Sequence, residues 1–291
     1  MDGVLNINKP GGMTSHDVVQ RVRRMLKEKR VGHTGTLDPS ATGVLVLCIG
    51  KATRIAQYLE AGEKEYRAVM RLGVTTDTLD ADGKVLETRC HVPPDRSRIL
   101  QALQQFLGLV MQIPPAYSAI KIHGVPSYKL ARQGKAEPLK PRQVTIHEIN
   151  LASYEHPLIE IDVRCSKGVY IRTLCADIGE ALGCGAHLAS LIRTRSGRFG
   201  VDQAVSLEQL ELLSGNGEFQ EYFVPLDKAL DDIPPVIIGD DASRKILHGN
   251  RVSAPVGTIR ESVLRIHGQD GTLLALGREK DGEIRPETVF L

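Results

Sequence analysis

Residues 32–43, reading Gly-His-Thr-Gly-Thr-Leu-Asp-Pro-Ser-Ala-Thr-Gly, place one carboxylate, Asp38, inside a stretch of small and turn-forming residues. The apolar run from Val44 to Ile49 follows at once and is bounded by Gly43 and Gly50, the pattern of a buried strand. A loop fixed to such a strand is a common seat for catalytic side chains. The ring of Pro39 clashes with the backbone before it and keeps Asp38 out of a helical conformation. A carboxylate, with an ordinary pKa of about 3.9, is anionic at neutral pH without an activating base and can form a covalent adduct. An aspartate before proline more often merely closes a turn, so on this segment alone nucleophile and turn-former both stand.

The chain around Asp38 has 291 residues and 42% hydrophobic content, enough for one large domain and a small one. No stretch reaches the roughly 18 consecutive apolar residues of a membrane span, and the N-terminal residues lack the zones of a signal peptide. A soluble, cytoplasmic protein without membrane association is expected. Five widely spaced cysteines (Cys48, Cys90, Cys165, Cys175, Cys184) offer no C-x-x-C pair, and the nine histidines show no H-x-x-x-H spacing. Cys90 and His91 have no second ligand pair nearby, so no metal site is expected. The turn from Thr78 to Gly83, with Asp80 and Asp82, resembles a calcium loop but would carry Arg89 where the bidentate glutamate belongs.

The net charge is +2, unevenly spread. Residues 1–54 hold nine Lys/Arg against four Asp/Glu, residues 121–145 six against one, and residues 164–198 six against two. Solvation explains any one of these segments, but three beside turn-rich motifs suggest a phosphate-tracking groove on an otherwise acidic body.

The pattern predicts a helix over about 15–29, capped by Thr14 and Ser15 and presenting Val18, Val19, Val22, Met25 and Leu26 to a core. Further elements are a short helix over 52–59, an alternating strand over 66–73, a polar turn over 75–83 and a helix over 97–108. Residues 112–121 are extended because of their paired prolines. A half-buried strand over 159–165 precedes a break at 166–168 and a helix from about Tyr170 to Leu182, closed by Gly183. Near residue 233 the texture changes to short β-like runs separated by Gly and Asp, with eight Lys/Arg and eight Asp/Glu, and a domain boundary falls there.

Five motifs in order carry a resemblance. They are Asn6 to Val19, Gly32 to Leu45, Tyr66 with Leu72-Gly73 and Thr76 to Asp80, Pro114 to Ala119, and Gly168 to Leu174. They are similar to the bacterial TruB family, the tRNA pseudouridine-55 synthases, over most of residues 3–230, and the tail is similar to PUA-like modules. The resemblance implies an α+β pseudouridine-synthase fold: a central mixed, mainly antiparallel sheet flanked by helices. It places the catalytic domain at 1–232 with a thumb-like RNA-binding insertion at about 93–150, and a small β-rich PUA-like domain at 233–291. It implies isomerisation of a uridine at position 55 in the T loop of tRNA, without a cofactor, by a monomer that needs no protein partner. The insertion, rich in proline, glycine and charge, is expected to be mobile without RNA.

The same resemblance assigns roles. Asp38 is the nucleophile, Tyr66 stacks on the flipped base with proton transfer as a second role, and Tyr170 and Leu191 close the pocket. For either tyrosine the competing reading is a core aromatic with a satisfied hydroxyl. Arg172 pairs with Asp38 and keeps it ionised, against the alternative of a solvent-facing helix arginine. His33 stacks in the RNA loop in the space the flipped base vacates, or else is a turn histidine bonded to backbone. Arg54, where some members carry Lys, is assigned an RNA contact.

Overall fold

In the computed structural model, every residue is described except 90, 91, 119, 136, 138, 217 and 291 and the side chains of 215 and 216. Cys90 and His91, considered above for metal binding, lie outside the described residues.

The chain opens with β1 (Gly3–Lys9), a buried strand that runs into the turn before α1 (Ser15–Leu26). Thr14 caps α1 in a reciprocal capping box with Asp17. The helix stops at Leu26, short of the expected residue 29, because Lys27 adopts the left-handed conformation (φ 50°). Arg23 then reaches the Val31 carbonyl and draws the chain into β2 (Val31–His33). After the Asp38 loop comes β3 (Thr42–Ile49), the predicted buried strand. The stretch expected as one helix over 52–59 is a 3₁₀ turn, Gly50–Ile55, leading into α2 (Ala56–Glu60).

The next strand, β4 (Lys64–Leu72), alternates strictly between the core and the outer face. The polar turn beyond it is the tip of a hairpin of β5 (Val74–Thr76) and β6 (Val85–Thr88). Helix α3 (Arg96–Gln104) ends before 108, and Gly108 instead starts β7 (Gly108–Gln112). Within the expected insertion lie a two-residue hairpin, β8 (Lys121–Ile122) with β9 (Val125–Pro126), and α4 (Ser127–Arg132). Its two flanks, β7 and β10 (Arg142–Glu155), are strands of the main sheet. There follow β11 (Leu158–Cys165), α5 (Ile171–Ala181), with Gly183 just past it at φ 81°, and β12 (Ala186–Ser196).

Short strands β13 (Phe199–Gly200), β14 (Val205–Ser206) and β15 (Phe223–Pro225) complete an 11-stranded sheet together with α6 (Leu207–Asn216) and α7 (Leu226–Ala229) beside it. Its main order is β14-β1-β3-β12-β4-β11-β10-β7, antiparallel except for β1 with β14 and β3 with β12. One face packs against α1, α3 and α5 around a core that includes Ile7, Val18, Leu45, Met70, Ile161 and Leu174. The tail begins at β16 (Pro235–Ile237), followed by α8 (Asp240–Leu247) and β17 (Val252–Ser253). The strands β18 (Val263–His267), β19 (Leu273–Lys280) and β20 (Glu283–Val289) complete its five-stranded sheet.

The opposite side of β1 and β3 is sealed by this tail. Val4, Val44, Val46 and Cys48 share an apolar cluster with Leu276, packed by Leu273 and Phe290. A polar seam joins the two parts: Arg265 Nη1 meets Asp227 at 2.8 Å and Asp231 at 3.1 Å, and His267 lies 2.9 Å from Asp227. Cys48, Cys165, Cys175 and Cys184 are buried free thiols; burial pushes the first three up to about 12, which suits packing rather than reactivity. Among the described residues no helix is long and apolar enough to cross a membrane.

Candidate active site

The loop before β3 is held from several sides. Ser15, buried at the start of α1, accepts from the Leu37 amide at 2.8 Å and donates to its carbonyl at 3.0 Å. Ser15 therefore acts less as a cap than as an anchor for the residue next to Asp38. Lys9, fully buried at the end of β1, donates to the carbonyls of Pro10 (2.8 Å) and Pro39 (3.1 Å). Burial lowers the Lys9 pKa to about 8, although the neighbouring Asp38 pulls it upward. The Ala41 amide closes the turn on the Asp38 carbonyl.

Helix α5 brings Arg172 to this loop. Its Nε lies 3.0 Å from Asp38 Oδ2 and its Nη2 donates to Oδ1 at 3.2 Å, a two-pronged pair across 134 residues of sequence. The Arg172 side chain is 6% exposed and that of Asp38 36%, so a buried cation holds a carboxylate at the mouth of the cleft. The same guanidinium meets Asp80 Oδ2 at 3.3 Å and donates to the carbonyls of Thr78 (3.2 Å) and Tyr117 (2.9 Å). Arg172 is thus a junction of three segments rather than a solvent-facing arginine.

Local sequence gives Asp80 no role. Its turn is legible as a calcium loop that lacks its glutamate and as part of a motif that carries the resemblance, and nothing nearby in the chain shows that it meets α5. The two carboxylates flank one cation, and this affects their chemistry. The Asp38 carboxyl is pushed up from its ordinary value, chiefly by burial. Arg172 and Lys9 oppose that shift, while Asp80 and Asp82 add to it. Desolvation is the larger cause of the shift, and Arg172 works against it in favour of the ionised carboxylate.

A cleft with about 370 Å³ of empty space, part of it open to solvent, lies beside Asp38 and is lined by Ser40, Asp80, Asp82 and Leu188 to Leu191. It sits where the sheet divides. Strand β12 pairs with β3 only at Ile192 and Arg193, so its preceding residues have β4 on one side and the cleft on the other. A break in register between Leu188 and Ser190 marks the same place.

Asp38 and Leu191 line this cleft, and Arg172 stands behind it, paired with Asp38. Tyr66 lies on β4 at 9% exposure, within the core cluster that includes Leu191, and burial raises its pKa. Tyr170 is the N-cap of α5. Its amide donates to Gln112 Oε1 (2.9 Å) and its carbonyl accepts from Gln112 Nε2 (3.1 Å), so the end of β7 fixes its backbone. Neither tyrosine lines the cleft. His33 accepts a 3.3 Å bond from the Gly35 amide, and burial lowers its pKa. Arg54 lies apart from this group: it is exposed, and its Nη1 donates to the Val289 carbonyl of the tail at 2.8 Å.

The three basic segments do not share one surface role. In residues 164–198, Arg172 and Arg193 are buried, while Arg164, Arg195 and Arg198 pair with Glu63, Glu65 and Asp231. Those five cations are engaged within the fold, and Lys167 is the one cation of that segment that is exposed without an ion pair among the described residues. In residues 121–145, by contrast, Lys121, Lys129, Arg132, Lys135, Lys140 and Arg142 are mostly exposed, and none makes an ion pair among the described residues. Arg132 stands over the ring of Tyr128 at 5.7 Å. Free positive charge beside an aromatic ring is what a phosphate-bearing strand requires.

Comparison with known proteins agrees with this architecture. Residues 23–171 match the N-terminal domain of TruB family pseudouridylate synthases. Residues 172–231 match the C-terminal domain of tRNA pseudouridylate synthase B, and residues 234–290 the C-terminal module of pseudouridine synthase II TruB. The chain is 42% identical to tRNA pseudouridine synthase B of Clostridium kluyveri over the full length of both. It is 43% identical to that of Pseudomonas aeruginosa over all of this chain and 96% of the relative. Among solved structures it is similar to a Cbf5-Nop10-Gar1 complex, with TM-score 0.77 and 30% identity over 99% of this chain and 85% of that one. It is also similar to an H/ACA RNP bound to a substrate RNA containing 2'-deoxyuridine, with TM-score 0.76 and 28% identity over the same shares.

The mixed sheet, its flanking helices and the smaller β-rich domain constitute a pseudouridine-synthase fold. The chain belongs to the TruB family of pseudouridylate synthases.

Proposed function

We propose that this chain isomerises uridine to pseudouridine at position 55 in the T loop of tRNA, with Asp38 as the nucleophile. The observation that carries the reading is the two-pronged pair of Arg172 with Asp38 at 3.0 and 3.2 Å, at the mouth of a cleft lined by Leu188 to Leu191. A uridine flipped from its stack enters that cleft and exposes its sugar and base to the carboxylate. Attack by Asp38, at ribose C1′ or at uracil C6, makes a covalent adduct and requires the ionised carboxylate. Arg172 favours that form against the desolvation that opposes it. The N-glycosidic bond breaks, the base turns, carbon 5 joins C1′ and the bond to Asp38 is released; a base takes the proton from carbon 5 and N1, freed from the sugar, gains one. No electrons pass to an acceptor, so the chemistry calls for no cofactor.

Tyr66, packed in the same core cluster as Leu191, serves the base by stacking and proton transfer, and Tyr170 and Leu191 close the pocket. His33 enters the RNA loop, and the cations of residues 121–142 grip its phosphates. Arg54, exposed beside its contact to the tail, is assigned a further contact to the RNA. The catalytic domain spans 1–232, with the insertion at 93–150, and a PUA-like domain spans 233–291. The whole-length likeness to proteins named tRNA pseudouridine synthase B supports action on tRNA, and we read the chain as a monomeric cytoplasmic enzyme that acts on the T stem-loop without a protein partner. The likeness favours that reading over a subunit of a guide-RNA particle, whose solved relatives are 28–30% identical.

The test is release of tritium from C5-labelled uridine in a T-arm stem-loop, with no cofactor added. Wild type should release it and Asp38→Asn should not. Release by Asp38→Asn would remove Asp38 from the mechanism, and silence from both would favour an RNA-binding protein without catalysis.

A further inference from the structure

One buried cation beside the site has no part in the scheme above. Arg193, on β12, is 2% exposed, and none of the ion pairs among the described residues includes it. A buried charge without a counter-ion is costly unless its donors are all satisfied. The other two buried cations nearby bond carbonyls close to a turn: Lys64 those of Glu60 and Gly62, Lys9 those of Pro10 and Pro39.

Arg193 reaches much farther along the sequence. Its Nε donates to the Val44 carbonyl at 2.7 Å, its Nη2 to Gly35 at 3.1 Å and its Nη1 to Thr36 at 3.5 Å. These carbonyls stand on both sides of Asp38, where the loop enters and where it leaves. The backbone is just as close: a Cβ on Gly43 (φ 97°) would lie 2.3 Å from the Arg193 carbonyl oxygen. Across the sheet Arg193 pairs in register with Tyr66 on β4, so one residue joins both flanks of the Asp38 loop to the strand that carries Tyr66.

We propose that Arg193 is a positioning residue of the isomerisation: its fork fixes the loop of Asp38 against the strand of Tyr66. A lysine at this position would present a point charge and could not satisfy both directions at once. The proposal rests on the functional reading above.

The test uses Arg193→Lys, alone and combined with Tyr66→Phe. Three quantities are measured: single-turnover pseudouridine formation at saturating T-arm RNA, RNA affinity, and the ¹³Cζ-tyrosine spectrum of the RNA-free protein. The Tyr66 signal is assigned by its loss in Tyr66→Phe. Arg193→Lys should bind RNA within about threefold of wild type while reacting about 100-fold more slowly, the scale of an ångström misplacement. Its Tyr66 signal should move, and the double variant should be little slower than the slower single one. A wild-type rate, a loss confined to affinity, multiplicative losses in the double variant or an unmoved Tyr66 signal would each overturn the proposal. A wild type that forms no pseudouridine would instead defeat the functional reading; the spectrum would then decide alone whether Arg193 sets the surroundings of Tyr66.

Discussion

Replacing Asp80 by Asn tests whether Arg172 is steered from two sides. Through Oδ1, Asp80 accepts from Thr78 Oγ1 and from the Asp82 amide, and its Oδ2 faces Arg172 Nη1 at 3.3 Å. Asparagine keeps an acceptor for the first two but sets an NH₂ group against Nη1, so an attraction becomes two donors facing each other. A hydrogen bond to a charged group contributes roughly 1.5–3 kcal/mol. The Asp80 side chain is 12% exposed, so solvent screens little of it. Arg172 still has Asp38 and the carbonyls of Thr78 and Tyr117. The loss therefore stays below the roughly 3–5 kcal/mol of a broken buried pair, and urea unfolding should show about 2 kcal/mol. A guanidinium shifted by about 1 Å would slow the reaction about 100-fold. The charge of Asp80 also helps to raise the Asp38 pKa. Removing it lets the carboxyl fall, so the acidic limb of the rate should move to lower pH even as the plateau drops. The assay is single-turnover tritium release across about pH 5 to 8, a range that brackets neutral operation. An unchanged plateau, or a limb that moves to higher pH, would refute the reasoning.

Asp38→Asn should be inactive. A carboxyl whose folded pKa is raised contributes stability below its unfolded pKa and loses it as pH rises through the folded value, a loss that an uncharged substitute escapes. Relative to wild type its thermal midpoint should therefore rise between about pH 4 and about pH 7; a relative midpoint that falls over that range would contradict the burial cause. Lys9, lowered to about 8, contributes stability that is fully present above its unfolded value of about 10.5 and is lost as pH falls through 8. Between those values the wild type should therefore gain stability relative to Lys9→Met, since the buried thiols raised to about 12 and Lys64, also lowered to about 8, act alike in both proteins; an identical slope in the two would count against it. Changing Lys121, Lys129 and Arg132 to Gln should weaken RNA binding and flatten its salt dependence by about one unit of log-log slope for each phosphate no longer neutralised. A slope unmoved by all three changes would take the insertion out of the binding surface.

Much of the site is legible in local patterns. The Asp38 turn lies between glycines and a buried strand, α5 stops at Gly183, and β4 alternates along its length, because each depends on backbone preferences and short-range periodicity. Five motifs in order then point to the family, to Asp38 and Leu191, which line one cleft, and to Arg172, which stands behind it paired with Asp38. Strand β10 escapes such a reading because register shifts after Ile146 and Leu151 break its two-residue period. Its partner β7 is divided between the predicted helix over 97–108 and the extended stretch beyond it.

Partners far apart in the chain are a matter of the folded state. Asp80 reaches Arg172 across 92 residues, and Arg193 reaches the carbonyls around Asp38 across 149 to 158. Charge counts reveal where cations stand along the chain but not which are spent inside the fold, since that depends on which carbonyl or carboxylate folding brings near. Residue order alone is enough for the family, the candidate nucleophile and the strand that carries it. The ionisation balance of Asp38 belongs to the three-dimensional arrangement, because burial and two neighbouring carboxylates outweigh the one cation that the motifs pair with it.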